Sequence, residues 1–134
     1  MIARLLPFAL VFAALPAFAQ TADDFVGRWG VASYWNKEDK AKAPGWAKQS
    51  CGQPYIIEKN EAGNLMMFVA DGERREVKLK GKKLTPAESK LPEGSAKMHV
   101  RTITAFEPGS FELTWDNGAF AGRYGTVVYV KCGG

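Results

Sequence analysis

The chain of 134 residues holds a single histidine and only two cysteines. His99, Cys51 and Cys132 are therefore the whole supply of imidazole and thiol, and no Ser-His-Asp or Cys-His arrangement can be assembled from motifs around them. The wide spacing of the cysteines excludes a CxxC redox motif and a compact zinc site. No pair of carboxylates stands at a motif spacing for acid/base work. Neither a catalytic residue nor a metal or cofactor site is expected, and the chain does not read as an enzyme. A massed charge of one sign is also missing. Of 18 Lys+Arg one lies in the first nineteen residues, and the remaining 17 against 14 Asp+Glu give a net charge of +3. The basic residues are interspersed with acids, so the stripe that a nucleic-acid surface needs is not there.

Long apolar runs are equally scarce. The longest, Leu5 to Leu15, is interrupted by Pro7 and falls short of the roughly 20 residues a membrane span requires. With Arg4 before it and Ala17-Phe18-Ala19 after it, the run has the charge, length and small-residue cleavage site of a secretory signal peptide. Residues 1–19 are expected to be a leader and residues 20–134 a single domain, periplasmic or secreted, with no stable membrane insertion. In an exported domain of this size an even pair of cysteines reads as a disulfide, Cys51 to Cys132.

What the sequence does hold is short alternating runs. Phe25, Trp29 and Val31 alternate with Arg28 and Gly30, the period-two pattern of a strand with one buried face, which continues to Trp35. Residues Asn36 to Ser50 are polar and hold Pro44-Gly45. Asn36 suits the cap of a short turn over Lys37 to Lys42, but the stretch reads chiefly as a long loop carrying Trp46, either a staple on the barrel or a ligand or partner contact. Further strands are predicted over Tyr55–Lys59, Leu65–Ala70, Arg74–Lys80, Lys82–Thr85, Lys97–Phe106, Phe111–Asp116 and Ala119–Lys131. About eight strands joined by hairpins, with little helix, predict an all-β, antiparallel up-and-down barrel.

The turns predict faces, because residues opposite each other in an antiparallel pair share one. A two-residue turn at Asn117-Gly118 puts Trp115 opposite Phe120, Leu113 opposite Gly122 and Phe111 opposite Tyr124, all inward, with Glu112 and Arg123 paired outside. The Glu107–Ser110 turn then places Met98, Val100, Thr102, Thr104 and Phe106 inside and turns His99 and Arg101 out to solvent. A two-residue turn at Asp71-Gly72 pairs Phe68 with Arg75 inside and leaves Leu65, Met67 and Val69 as an exposed patch. Arg75 is then either stacked on an aromatic ring at the barrel end or an anchor for an anionic ligand group.

Gly27-Arg28-Trp29 at the start of the first of eight strands resembles the Gly-x-Trp signature of the calycin superfamily, which includes lipocalins, avidins and small bacterial metalloprotease inhibitors. The resemblance implies a barrel with Trp29 closing one end. In lipocalins an arginine from a late strand packs across that tryptophan, and Arg123 holds the late position here. It also implies an exported binding barrel that takes a small, partly apolar ligand at its open end. The pocket candidates are Trp29, Trp35, Trp46, Phe68, Arg75, Trp115 and Tyr124. The other reading is a protein-interaction module, such as an inhibitor of an exported protease, acting through a free segment Gln20 to Asp24 or through the Trp46 loop. The expected interior set of Phe25, Trp29, Phe68, Phe106, Phe111, Trp115, Phe120 and Tyr124 is crowded enough to make Trp29 the floor of a core and to push function towards the rim.

Overall fold

Eight antiparallel strands close into a barrel in sequence order in a computed structural model that describes residues 20–87, 91–92 and 94–133. The expected leader lies outside the described residues. The strands are β1 (Gly27–Tyr34), β2 (Tyr55–Lys59), β3 (Leu65–Phe68), β4 (Arg74–Lys80), β5 (Lys83–Pro86), β6 (Arg101–Glu107), β7 (Ser110–Trp115) and β8 (Thr126–Lys131). Two short helices, α1 (Ala43–Gln49) and α2 (Gly118–Tyr124), interrupt them. Closure comes from β1 pairing with β8 from Trp29↔Lys131 to Tyr34↔Thr126.

The lower end, where β1 starts, is shut by its own lead-in. Thr21 and Asp24 form a capping box around a 3-10 turn over Ala22–Phe25, and Asp23 pairs with Lys59. The segment before β1 is thus folded onto the barrel, where the sequence had suggested a free arm. Phe25 goes under the floor, and the Trp29 indole N–H donates to the Phe25 carbonyl at 2.9 Å. Trp29 packs edge-on against Phe111 with ring centroids 4.7 Å apart, and Tyr129 stacks on Phe111 at 4.4 Å. Phe25, Trp29 and Phe111 form the lower core as the sequence pattern indicated, and Tyr129 joins them opposite Phe111, where Tyr124 was expected.

The cation over Trp29 is Lys131 of β8, with Nζ 5.6 Å from the ring centroid, and not Arg123, which lies over Tyr124. Gly27 explains the glycine of the motif. Its φ of +146° disfavours other residues, and a Cβ there would sit 3.2 Å from the Lys131 side chain that reaches the tryptophan.

Three expected pairings change, two by a one-residue shift and one by a helix in place of a strand, each through one local device. The β3–β4 hairpin has a three-residue loop, Ala70 to Gly72, because Gly72 N–H bonds to the Val69 carbonyl and Val69 N–H to the Glu73 carbonyl. Gly72 takes the left-handed position at φ +77° that such a loop uses. The odd loop pairs Leu65 with Val77 and Met67 with Arg75, so Leu65, Met67 and Val69 are buried and the exposed patch does not exist, while Phe68 turns outward. A β-bulge between Ile103 and Ala105 inserts Thr104, so Arg101, Ile103 and Phe106 face in. His99 and Arg101 are accordingly buried, and Met98 and Thr104 exposed. Residues before Arg101 form a 3-10 turn, Ala96–His99, where a strand was expected.

Asn117-Gly118 is the third case. Asn117 caps α2, its side chain accepting from Phe120 N–H at 3.1 Å, so Ala119 to Tyr124 is helix and the pairing of Glu112 with Arg123 is lost. Val127 and Tyr129 of β8 take the places opposite Leu113 and Phe111.

The crossover between β1 and β2 is ordered, with a 3-10 turn Lys37–Asp39, then α1, then a second turn Ser50–Gly52. It runs back along the outside of the barrel, seating Ala43 and Ala47 on Val128. This return carries Cys51 to the lower end, where it bonds to Cys132 just beyond β8 with Cα atoms 5.6 Å apart. The count of eight strands and the disulfide are both as the sequence indicated. Among the described residues no helix is long and apolar enough to cross a membrane.

Candidate functional site

The upper end is covered by α2 and by the 3-10 turn Ala96–His99. Phe120 and Tyr124 are four residues apart on α2 and share one face, which packs on Trp115 at the top of β7. The ring centroids lie 5.6 Å and 5.4 Å from Trp115. His99 meets Phe120 at 5.8 Å. Tyr124 reaches across the mouth, its hydroxyl donating to the Ala70 carbonyl at 3.2 Å. At its C-terminal end α2 is held by Trp35, which lies against Gly125 and donates its indole N–H to the Gly122 carbonyl at 3.0 Å.

Beneath these rings sits a charged group with few partners. Arg101 is 2% exposed, with its guanidinium carbon 5.0 Å from the Trp115 ring. Its Nε and Nη2 are buried, and no described residue accepts a hydrogen bond from either. The same is true of His99 Nδ1. Only the Trp115 ring and nearby dipoles offset the desolvation of the Arg101 guanidinium. One such dipole is the Tyr129 phenol. Burial pushes that phenol far above its ordinary pKa, with Tyr55 acting in the same direction and Arg101 against it.

The neighbouring charges are accounted for. Asp71 binds Arg75 through Nε at 3.0 Å and Nη2 at 2.7 Å, and this pairing holds its carboxyl below the usual range. Burial pushes the His99 imidazole below its ordinary pKa, with Asp71 opposing and Arg75 and Arg101 adding to the shift. Among the described residues the site is therefore an aromatic mouth over one surplus positive charge.

Of the residues singled out in the sequence, Trp115 and Tyr124 meet here, Arg75 lies at its edge on Asp71, and Trp35 clamps α2 from outside at 60% exposure. Trp29 belongs to the opposite end. Phe68 is outside the barrel against Tyr55 at 5.3 Å, and Trp46 is on α1 along the wall. Sequence reasoning missed His99 and Arg101. The signal was Ile103: the expected register left that apolar, β-branched residue in solvent while turning Thr102 and Thr104 inward.

A concavity of about 610 Å³ lies outside the barrel between the crossover and the β6–β7 hairpin. Lys37, Lys40 and Pro44 face Phe106, Glu107 and Glu112 across it. Among the described residues no group of three or more His, Cys, Asp or Glu is placed to hold a metal ion.

Comparison of the chain with protein-family models, with curated proteins and with solved structures finds no match in any of the three. The closed eight-stranded antiparallel barrel, with a tryptophan near the start of β1 under a last-strand cation, is consistent with a calycin-like fold and rests on geometry alone.

Proposed function

We propose that the protein is an exported, lipocalin-like barrel that binds a small, partly apolar molecule at the end capped by α2. The observation that carries the reading is the set of rings Trp115, Phe120 and Tyr124 gathered over buried polar atoms that no described residue satisfies. Buried polar groups are ordinarily hydrogen-bonded, and a cluster of exceptions under an apolar mouth is what a ligand with one polar end would complete. The lower end does not serve, because Phe25, Trp29, Phe111 and Tyr129 fill it. Access is through α2, a helix of seven residues that begins at Gly118, is followed by Gly125 and is held across the mouth by the Tyr124 and Trp35 hydrogen bonds.

Native mass spectrometry of protein purified from an exporting host is expected to show a co-purified small molecule. Ligand titration followed by nuclear magnetic resonance is expected to move the Trp115 indole N–H and leave that of Trp29 in place. Movement of Trp29 without Trp115, or no response of Trp115 to a broad set of small aromatic and aliphatic compounds, overturns the reading.

A second reading, a protein-interaction module such as an inhibitor of an exported enzyme, is favoured by the outer groove between the crossover and the β6–β7 hairpin. Its open, mixed-charge walls suit a peptide segment better than a small molecule. Substitution of Lys40 and Glu107 would weaken such a partner and leave the Trp115 response untouched.

A further inference from the structure

We infer that the polar end of the ligand is a carboxylate, docked on the Nε–Nη2 edge of Arg101 with its apolar part against Trp115, Phe120 and Tyr124. The inference rests on the small-molecule reading above and names the chemistry of that site.

Geometry supplies the first argument. The two arginine nitrogens without an acceptor are Nε and Nη2, which lie on one side of the planar guanidinium. Their N–H bonds run parallel, and that edge matches the two oxygens of a planar oxyanion as a fork does. A neutral carbonyl or hydroxyl would satisfy one of the two donors. A carboxylate satisfies both.

Charge supplies the second. The Arg75 and Asp71 side chains cancel each other at the rim, which leaves Arg101 as the surplus cation among the described groups that face the site. One surplus charge buried beneath aromatic rings calls for a monoanion. A phosphate dianion would bring an uncompensated negative charge into the same low-dielectric interior. His99 Nδ1, also without a described partner, is a further hydrogen-bonding atom at the same end of the barrel.

The third is the surroundings. The guanidinium carbon lies 5.0 Å from the centroid of the Trp115 ring, and Phe120 and Tyr124 pack on that same ring. A flat apolar group attached to the carboxylate would therefore meet Phe120 and Tyr124 on α2.

The test uses a matched pair of probes, 2-naphthoate and its neutral isostere 2-naphthamide, titrated into the disulfide-intact protein by calorimetry. Naphthoate is expected to bind about 10- to 100-fold more tightly than the amide, the range of a charge-assisted, two-pronged hydrogen bond. It is expected to shift the Arg101 Nε–H resonance in the wild-type protein, a readout that needs no variant to fold. In Arg101→Met the preference for the acid is expected to vanish, the acid losing about 10- to 100-fold more affinity than the amide. Equal binding of acid and amide overturns the carboxylate inference and leaves the small-molecule reading standing. Naphthoate binding with Arg101 Nε–H unmoved also overturns it. If neither probe binds and Trp115 responds to no compound, the small-molecule reading fails and the inference falls with it.

Discussion

Arg101 and His99 are costly residues for a barrel interior, and the cost is itself measurable. A buried guanidinium that no described carboxylate pairs pays desolvation against one ring and one phenol, so an apolar residue of similar length in its place is expected to stabilise the ligand-free protein. Arg101→Met should raise the urea-unfolding free energy by about 1–3 kcal/mol, and a loss of stability would mean that the arginine is structural. His99 contributes a pH dependence with a definite sign. Its folded-state pKa is lowered from 6.5, chiefly by burial, so the unfolded chain binds the proton more readily and stability falls as pH drops through the region below 6.5. The carboxyls of Asp71 and Asp116 are lowered from 3.8 and act only at more acid pH. Asp71 is lowered chiefly by its Arg75 hydrogen bonds, whereas at Asp116 burial works upward and the Lys83 and Thr102 hydrogen bonds outweigh it. Urea unfolding at about pH 7.5 and about pH 5 is therefore expected to show the wild-type protein weaker in acid, with the difference reduced in His99→Phe. An unchanged difference in the variant would remove His99 as the cause.

The elements owe their positions to a few small residues and loop lengths. β1 pairs with β2 only from Gly27 to Trp29, and above that point its Val31 N–H is bonded by the Ser50 hydroxyl at 2.7 Å. Gly30 provides the seat for α1, since a Cβ on it would lie 1.9 Å from the Ala47 carbonyl oxygen. Gly30→Ala is expected to lift α1 from the wall and cost about 1–3 kcal/mol in thermal or urea unfolding, as overpacking does. Unchanged stability with α1 still seated would show that the helix has slack. This scale also explains how far the sequence could be read. Alternation marked β1, β2, β4 and β7 because each has one face buried and regular pairing. It misplaced the faces of β3 and β6, where a three-residue loop and the Thr104 bulge each add one residue, and one residue exchanges inside for outside. Asn117-Gly118 suits a tight hairpin and a helix cap equally, and packing of Phe120 and Tyr124 on Trp115 goes with the helix. The site was hidden because it stands on those misread steps: a wrong parity in β6 sent Arg101 to solvent, and a strand in place of α2 removed its cover.

At the scale of the whole molecule the two ends of the barrel are built for different work. The lower end gathers the 3-10 turn under Trp29, the Lys131 contact and the disulfide, whereas the upper end holds a seven-residue helix over unsatisfied polar atoms. The disulfide closes a loop with a sequence separation of 81, spanning all of β2 to β8, so in the chain-entropy account its removal frees nearly the whole domain in the unfolded state. Replacing both cysteines by serine is expected to lower stability by about 2–5 kcal/mol in urea unfolding. Because the bridge lies beside the floor and far along β7 and β8 from Trp115, the folded fraction of the variant should retain its Trp115 response to naphthoate with affinity near that of the wild type. A ligand response lost together with the bridge, in protein shown by circular dichroism to be folded, would mean that floor and mouth are coupled through the filled core between them, and that the lower end is part of the site.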